Sequence, residues 1–138
     1  MHFNYKVVIL PVNIIHLVEV FMYVKKLEDV PINNVEAGSK TTFQELISSD
    51  EGPHFAMRRF VIEAGGSMPM HTNTVEHEQF VLRGRARVTI GEQQLELSEN
   101  IVILIPAGVP HSYENIGNEP YEFLCMVPNK KDTIKILK

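Results

Sequence analysis

From Thr41 onward, apolar residues recur with period two rather than 3.6, and each short run is closed by a turn signal. Phe55 to Ile62 alternates imperfectly. Glu78 to Leu82 reads as a strand, with Phe80 and Leu82 on one face and Gln79 and Val81 on the other. Ala86 to Ile90 alternates against Arg85, Arg87 and Thr89. Gly91-Glu92 marks a tight turn, and Gln93 to Leu97 returns. Ile101 to Ile105 is a continuous apolar run, the pattern of a strand buried on both faces, and Pro106-Ala107-Gly108 ends it. His111 to Asn115 and Tyr121 to Val127 complete the series. Turn signals at short, even spacing with no competing helical period predict an all-β sandwich or barrel.

The two ends read differently. Val7 to Val24 is rich in aliphatic residues but is broken by Pro11, Asn13, His16 and Glu19. A signal peptide would want more than Lys6 at its start and a small-residue cleavage site. A transmembrane helix would want a longer clean run. The favoured reading is an extension over 1–21, either an added strand or sequence upstream of a start at Met22. The barrel then spans 22–128. The basic segment 129–138 reads as a solvated C-terminal tail rather than a surface wrap.

Composition narrows the function. With 138 residues, 44% hydrophobic and 22% charged, the chain is one ordinary globular domain. A net charge of −4 and no cluster of Lys and Arg argue against a nucleic-acid partner. The lone Cys125 cannot make an internal disulfide, so a cytoplasmic address is the default. Cys125 itself reads as a small buried hydrophobe. His2, His16 and His54 have no partner by spacing. Met57 and Phe123 read as core packing. Arg58 and Arg59 are adjacent and face opposite ways. One of them is able to look inward at an anionic ligand, but surface placement is the expectation for both.

Candidate chemistry gathers in two places. His71 and Asn73 are two apart on a strand and share a side. His77 opens the next strand after a polar turn, and His111 arrives from a separate hairpin. Three neutral imidazoles converging in this way suit manganese, iron, nickel, copper or zinc. Gln79 shares a face with His77, and Tyr113 shares parity with His111. Each is a candidate for orienting a bound small molecule, with barrel lining as the alternative.

Gly65-x5-His71-x-Asn73-x3-His77-x6-Gly84 resembles the first motif of the cupin family. Pro106-x-Gly108-x2-His111-x3-Asn115 resembles the second, with Asn100 where its leading glycine would stand. Val75 to Leu82 is similar to a four-histidine subgroup of single-domain, manganese-binding bacterial and archaeal cupins. The resemblance covers roughly Met22 to Pro128. It implies a double-stranded β-helix, or jelly-roll barrel, with one divalent metal near its mouth, manganese first among the choices. It also implies a homodimer, with residues 22–50 as the pairing segment. Counting back from Gly84 puts His77, not Glu78, in the ligand register. Asn73 replaces a histidine, which leaves three outcomes: a fourth ligand, a group behind the ligands, or weak metal binding.

A ligand set of three imidazoles and an amide leaves a dication uncompensated, so anionic ligands are expected. The expected functions are a dioxygenase-like oxidoreductase acting on a small organic substrate, a non-redox isomerase or lyase, or a non-catalytic binding module.

Overall fold

The computed structural model describes residues 2–9 and 16–138, with side chains placed from Met22 onward. Pro11 and Asn13, on which the reading of the N-terminal run turns, lie outside the described residues. The chain divides into two compact units, residues 1–30 and 31–138. In the first, β1 (His2–Ile9) and β2 (His16–Tyr23) pair antiparallel, from His2 opposite Tyr23 to Ile9 opposite His16. A single 3-10 turn follows at Leu27–Asp29. No helix among the described residues is long and apolar enough to cross a membrane.

The second unit is a curled antiparallel sheet. Its strands are β3 (Asn33–Asn34), β4 (Ser39–Ile47), β5 (Phe55–Asn73), β6 (His77–Arg83), β7 (Arg85–Ile90), β8 (Gln93–Ser98), β9 (Val102–Ile105), β10 (His111–Asn115), β11 (Tyr121–Pro128) and β12 (Ile134–Ile136). The bonded order is β8-β7-β10-β5-β11-β6-β9, and β4 and β12 also pair with β5. The all-β jelly-roll barrel read from the sequence is the fold observed.

β5 is the spine. Its 19 residues far outrun the Phe55–Ile62 strand that the sequence marks. The first half lies between β4 and β11 and the second half between β12 and β10. One strand thus serves both layers of the barrel. Gly65-Gly66 falls where the partners change, and Gly65 has a φ of 72°, which glycine adopts without steric cost. A strand that switches sheets at such a bend makes the corner of a sandwich. Beyond the bend, register slips by one residue: His111 lies opposite His71 but Tyr113 lies opposite Met68. That bulge sits at Pro69-Met70 and re-aims His71.

Inward-facing residues fill the interior in rows across the strands. Phe43, Phe60 and Phe123 stack at 5.8 and 5.2 Å between ring centroids. Ile62, Val81, Ala86, Val88 and Tyr121 are fully buried around them. At roughly 25 cal/mol per Å² of apolar area removed from water, this cluster is the main stabilising term.

Three departures from the sequence reading have physical causes. β9 is buried on one face only, because it is an edge strand: Val102 is 75% and Leu104 62% exposed, while Ile105 is buried. The C-terminal residues are not a free tail, since β12 pairs with β5 at Asn73, Thr72 and His71. Asn100 stands at a φ of 66°, a left-handed position that glycine fills most easily and that asparagine tolerates.

Gly84 is the most constrained turn. Its φ is 80°, and a Cβ there would lie 2.3 Å from the Pro120 carbonyl oxygen. Gly84→Ala is expected to lower stability by more than about 1 kcal/mol, read as a lower urea midpoint with an unchanged slope. An unchanged midpoint would show that the turn rearranges freely.

Candidate metal centre

One cavity of about 360 Å³ opens at the end of the barrel, and His71, Asn73, His77 and His111 all line it. The two layers contribute separately. His71 and His111 are direct cross-strand partners on β5 and β10, with ring centroids 4.2 Å apart. His77 begins β6 in the facing layer, and its ring lies 5.4 Å from that of His111. Asn73 ends β5 and is buried. Glu78 is exposed on the outer face of β6, so the register places His77 inside and leaves no carboxylate in its stead.

Two tautomers are fixed by the backbone. His71 Nδ1 donates to the Pro69 carbonyl at 2.8 Å, and His111 Nδ1 donates to the Val109 carbonyl at 2.9 Å. A carbonyl only accepts, so each Nδ1 carries the proton and each Nε2 keeps its lone pair. Such a backbone anchor orients a metal-binding imidazole. The bulge takes Pro69 and Met70 out of the regular β5–β10 register, and the Pro69 carbonyl meets the ring instead.

Asn73 is oriented by a residue that the sequence reading missed. Its Nδ2 donates to Asp132 Oδ2 at 2.6 Å. The carboxylate is acceptor-only, so the amide oxygen is turned the other way. Asp132 also accepts from the Thr74 backbone N–H at 2.9 Å, and the Thr74 hydroxyl lies 3.2 Å from the same carboxylate. Burial alone would raise the Asp132 pKa, but the hydrogen bonds from Asn73 and Thr74 hold it below the usual value. The nearby carboxylate means that a cation here would not be wholly uncompensated, contrary to the expectation from the four lining residues alone. No spacing rule links Asp132 to Asn73; only the pairing of β12 with β5 brings them together.

Unsatisfied polar atoms concentrate at this cavity. Six buried side-chain nitrogen or oxygen atoms lack a hydrogen-bond partner among the described residues, and four belong to the lining: Arg58 Nε, Asn73 Oδ1, His77 Nε2 and His111 Nε2. Each such atom costs roughly 1–3 kcal/mol. Among the described residues no three His, Cys, Asp or Glu side chains close a coordination set. His111 contacts both other rings, and the amide oxygen of Asn73 belongs to none of those residue types. Three buried lone-pair donors that line one cavity from its two layers match the chemistry of a divalent metal ion.

Burial lowers the His77 pKa to about 3, reinforced by the charges of Arg58 and His111. Burial likewise lowers that of His111 to about 4, against the raising effect of its bond to Val109. Both rings are therefore neutral and able to ligate at neutral pH.

Gln79 and Tyr113 meet across the barrel, with Gln79 Nε2 2.7 Å from the phenol oxygen. Both are buried, and burial pushes the Tyr113 phenol up out of the physiological range. Phe123 lines the cavity as well as the core. Arg58 also lines it, whereas the sequence reading placed it on the surface. Arg59 faces the outer layer, where it donates to Glu122 at 2.6 Å and to Gln44 at 2.7 Å.

A family model described as Cupin domain matches residues 58–127, just over half the chain. A mannose-1-phosphate guanylyltransferase of Klebsiella pneumoniae is 40% identical over 74 residues, covering 52% of this chain and 16% of that protein. The chain spans about a sixth of the length of the guanylyltransferases and xanthan biosynthesis proteins it matches. The structure of the polyketide cyclase RemF from Streptomyces resistomycificus superposes with a TM-score of 0.79 at 25% identity, covering 86% of this chain and 87% of that one. Oxalate decarboxylase from Lactobacillus farciminis shares the fold, with a TM-score of 0.67 at 23% identity over 80% of this chain and 34% of that one.

The depressed histidines set a pH dependence for metal-free protein. Unfolded imidazoles titrate near pH 6.5, whereas the folded ones stay neutral to about pH 4 and about pH 3. Below pH 6.5 the unfolded chain takes up protons that the fold refuses, so stability falls as pH falls toward 4. Urea midpoints at pH 7 and pH 5 should differ, by up to roughly 1.4 kcal/mol per pH unit for each ring. A flat profile would mean that these rings charge freely in the fold.

Proposed function

This chain belongs to the cupin family, and on that premise we propose that it is a metal-dependent enzyme acting on a small anionic organic substrate. The observation that carries the reading is the set of buried lone pairs without protein partners, on Asn73, His77 and His111, around one cavity. Manganese is the first choice of metal, with iron, nickel, copper and zinc as alternatives. His71, His77, His111 and Asn73 would hold it. When bound, the ion supplies Lewis-acid stabilisation of negative charge that develops on a substrate oxygen.

The chain's own residues supply the rest. Asp132 keeps the Asn73 amide oxygen turned toward the site. The Gln79–Tyr113 pair presents a neutral hydrogen-bonding edge, and the raised phenol pKa keeps Tyr113 a proton holder rather than a charge. Phe60, Met68 and Phe123 wall the cavity with apolar surface, which excludes water and strengthens the remaining polar contacts.

Non-redox rearrangement or bond cleavage is the reaction class best supported, because the 25% likeness to a polyketide cyclase extends over most of both chains. The dioxygenase-like oxidation expected from the sequence is the second reading, supported by the apolar, aromatic wall that would shield a reactive centre. A cytoplasmic address belongs to the same proposal and agrees with a free, buried Cys125.

Elemental analysis of untagged protein tests the metal. About one equivalent is expected, lost in His77→Ala/His111→Ala and bound more weakly in Asp132→Ala. No metal in reconstituted wild type would leave a non-catalytic binding module. In turnover assays with a panel of small carboxylic acids, activity retained with zinc supports the non-redox class. Oxygen uptake that requires manganese or iron would instead support oxidation.

A homodimer is also proposed. Phe80, Leu82, Val102 and Leu104 are exposed apolar residues on β6 and the edge strand β9. Edge strands of this kind favour pairing with a second chain. Sedimentation velocity should show a dimer that Val102→Lys/Leu104→Lys weakens. A monomeric wild type at assay concentration would remove the dimer from the account.

A further inference from the structure

Arg58 is a cation inside the barrel that makes no ion pair among the described residues; the Asp132 carboxylate acts on the cavity from the side of Asn73 and Thr74, with which it is hydrogen-bonded. Its Nε is buried and has no hydrogen-bond partner. Its Nη2 lies 3.4 Å from Cys125 Sγ, and the guanidinium sits 5.3 Å from the centroid of the Phe60 ring. Burial raises the Cys125 pKa, against the lowering effect of Arg58, so the thiol is neutral and supplies no counter-charge. Among the described residues, the ion pairs of the neighbouring Arg59 and of Arg83 go to Glu122, and none involves Arg58. Its cross-strand neighbour on β4, Glu45, is exposed and makes no ion pair with it. Arg58 as a whole is half-buried, but its buried Nε–H without a partner is costly to keep, and a carboxylate is the ligand its planar fork fits best.

Its position relative to the histidines follows from the register. Arg58, Cys125 and Gln79 form one row across β5, β11 and β6. His77 is two residues before Gln79 on the same face of β6, a rise of about 7 Å along a strand. The guanidinium therefore lies one row deeper than the histidines, in the same cavity.

We propose that Arg58 is the carboxylate-binding residue of this cavity, and that the ligand is a small carboxylic acid whose opposite end carries the oxygen presented to His71, Asn73, His77 and His111. This deepens the metal-centre reading, but the Arg58 contact needs no metal and is tested apart from it. Cys125 and Phe60 act as positioning residues that hold the fork in the cavity.

Benzoate and its neutral analogue benzamide, titrated into chelator-treated full-length protein and followed by ligand-detected NMR, give the test. Benzoate is expected to bind at least about tenfold more tightly than benzamide. Arg58→Gln should abolish that preference, and Arg58→Lys, which keeps the charge without the fork, should keep part of it. Circular dichroism and melting of each variant confirm folding. If Arg58→Gln does not fold, Arg58→Lys carries the test, and an unchanged preference in it assigns recognition to charge alone and overturns the bidentate site. No benzoate binding up to about 10 mM, or equal binding of the two probes, also overturns the proposal. Arg58-dependent benzoate binding in a protein that takes up no metal would leave this inference standing and remove the metal centre. Metal uptake without any effect of Arg58 would do the reverse.

Discussion

Buried lone pairs without protein partners are the constraint on which this molecule is organised. His77 Nε2, His111 Nε2 and Asn73 Oδ1 point into one cavity at a cost that an apolar barrel interior would not otherwise carry. The barrel tolerates them because its lower rows are closed. Ile62, Val81, Val88, Tyr121 and Phe123 are buried to within a few per cent, and aromatic rings stack from Phe43 through Phe60 and Phe123 to Tyr113. Stability is supplied by one end of the barrel and spent at the other. Departures from full polar satisfaction are expected where a protein does its work.

A single strand arranges this division. β5 carries Arg58 and Phe60 in one layer, bends at Gly65-Gly66, and delivers His71 and Asn73 in the other. The bulge at Pro69-Met70 aims His71 at His111 and leaves a carbonyl to fix its tautomer. β12 then lies against the same stretch, and Asp132 just before it sets the Asn73 amide. The C-terminal segment is thus part of the wall of the cavity as well as the end of the chain.

Much of this was legible in the sequence, for identifiable reasons. Period-two alternation with glycine turns gave β6, β7 and β8 nearly to the residue; β6 and β7 have one wet face and one dry face, while in β8 only Leu97 is buried. Parity put His71 and Asn73 on one side of their strand, and the resemblance of the two motifs to the cupin family joined them with His77 and His111; all four line one cavity. What stayed hidden was whatever depends on which strands are neighbours. Ile101 to Ile105 looks doubly buried by hydropathy, yet it is an edge strand. Arg58 looks like a surface cation, yet parity with Phe60 and Ile62 turns it inward. Asp132 looks like part of a solvated tail, and only its distance across the fold makes it a partner of Asn73. Parity would have found Arg58; no local signal would have found Asp132.

X-ray absorption of the manganese-loaded chain, beside Asn73→Ala, tests the central claim most directly. The account expects the multiple scattering of three imidazole rings around the ion, with an oxygen neighbour that changes in the variant. A first shell of oxygens alone, without imidazole scattering, would contradict it and would mean that the buried histidines serve some purpose other than holding a metal.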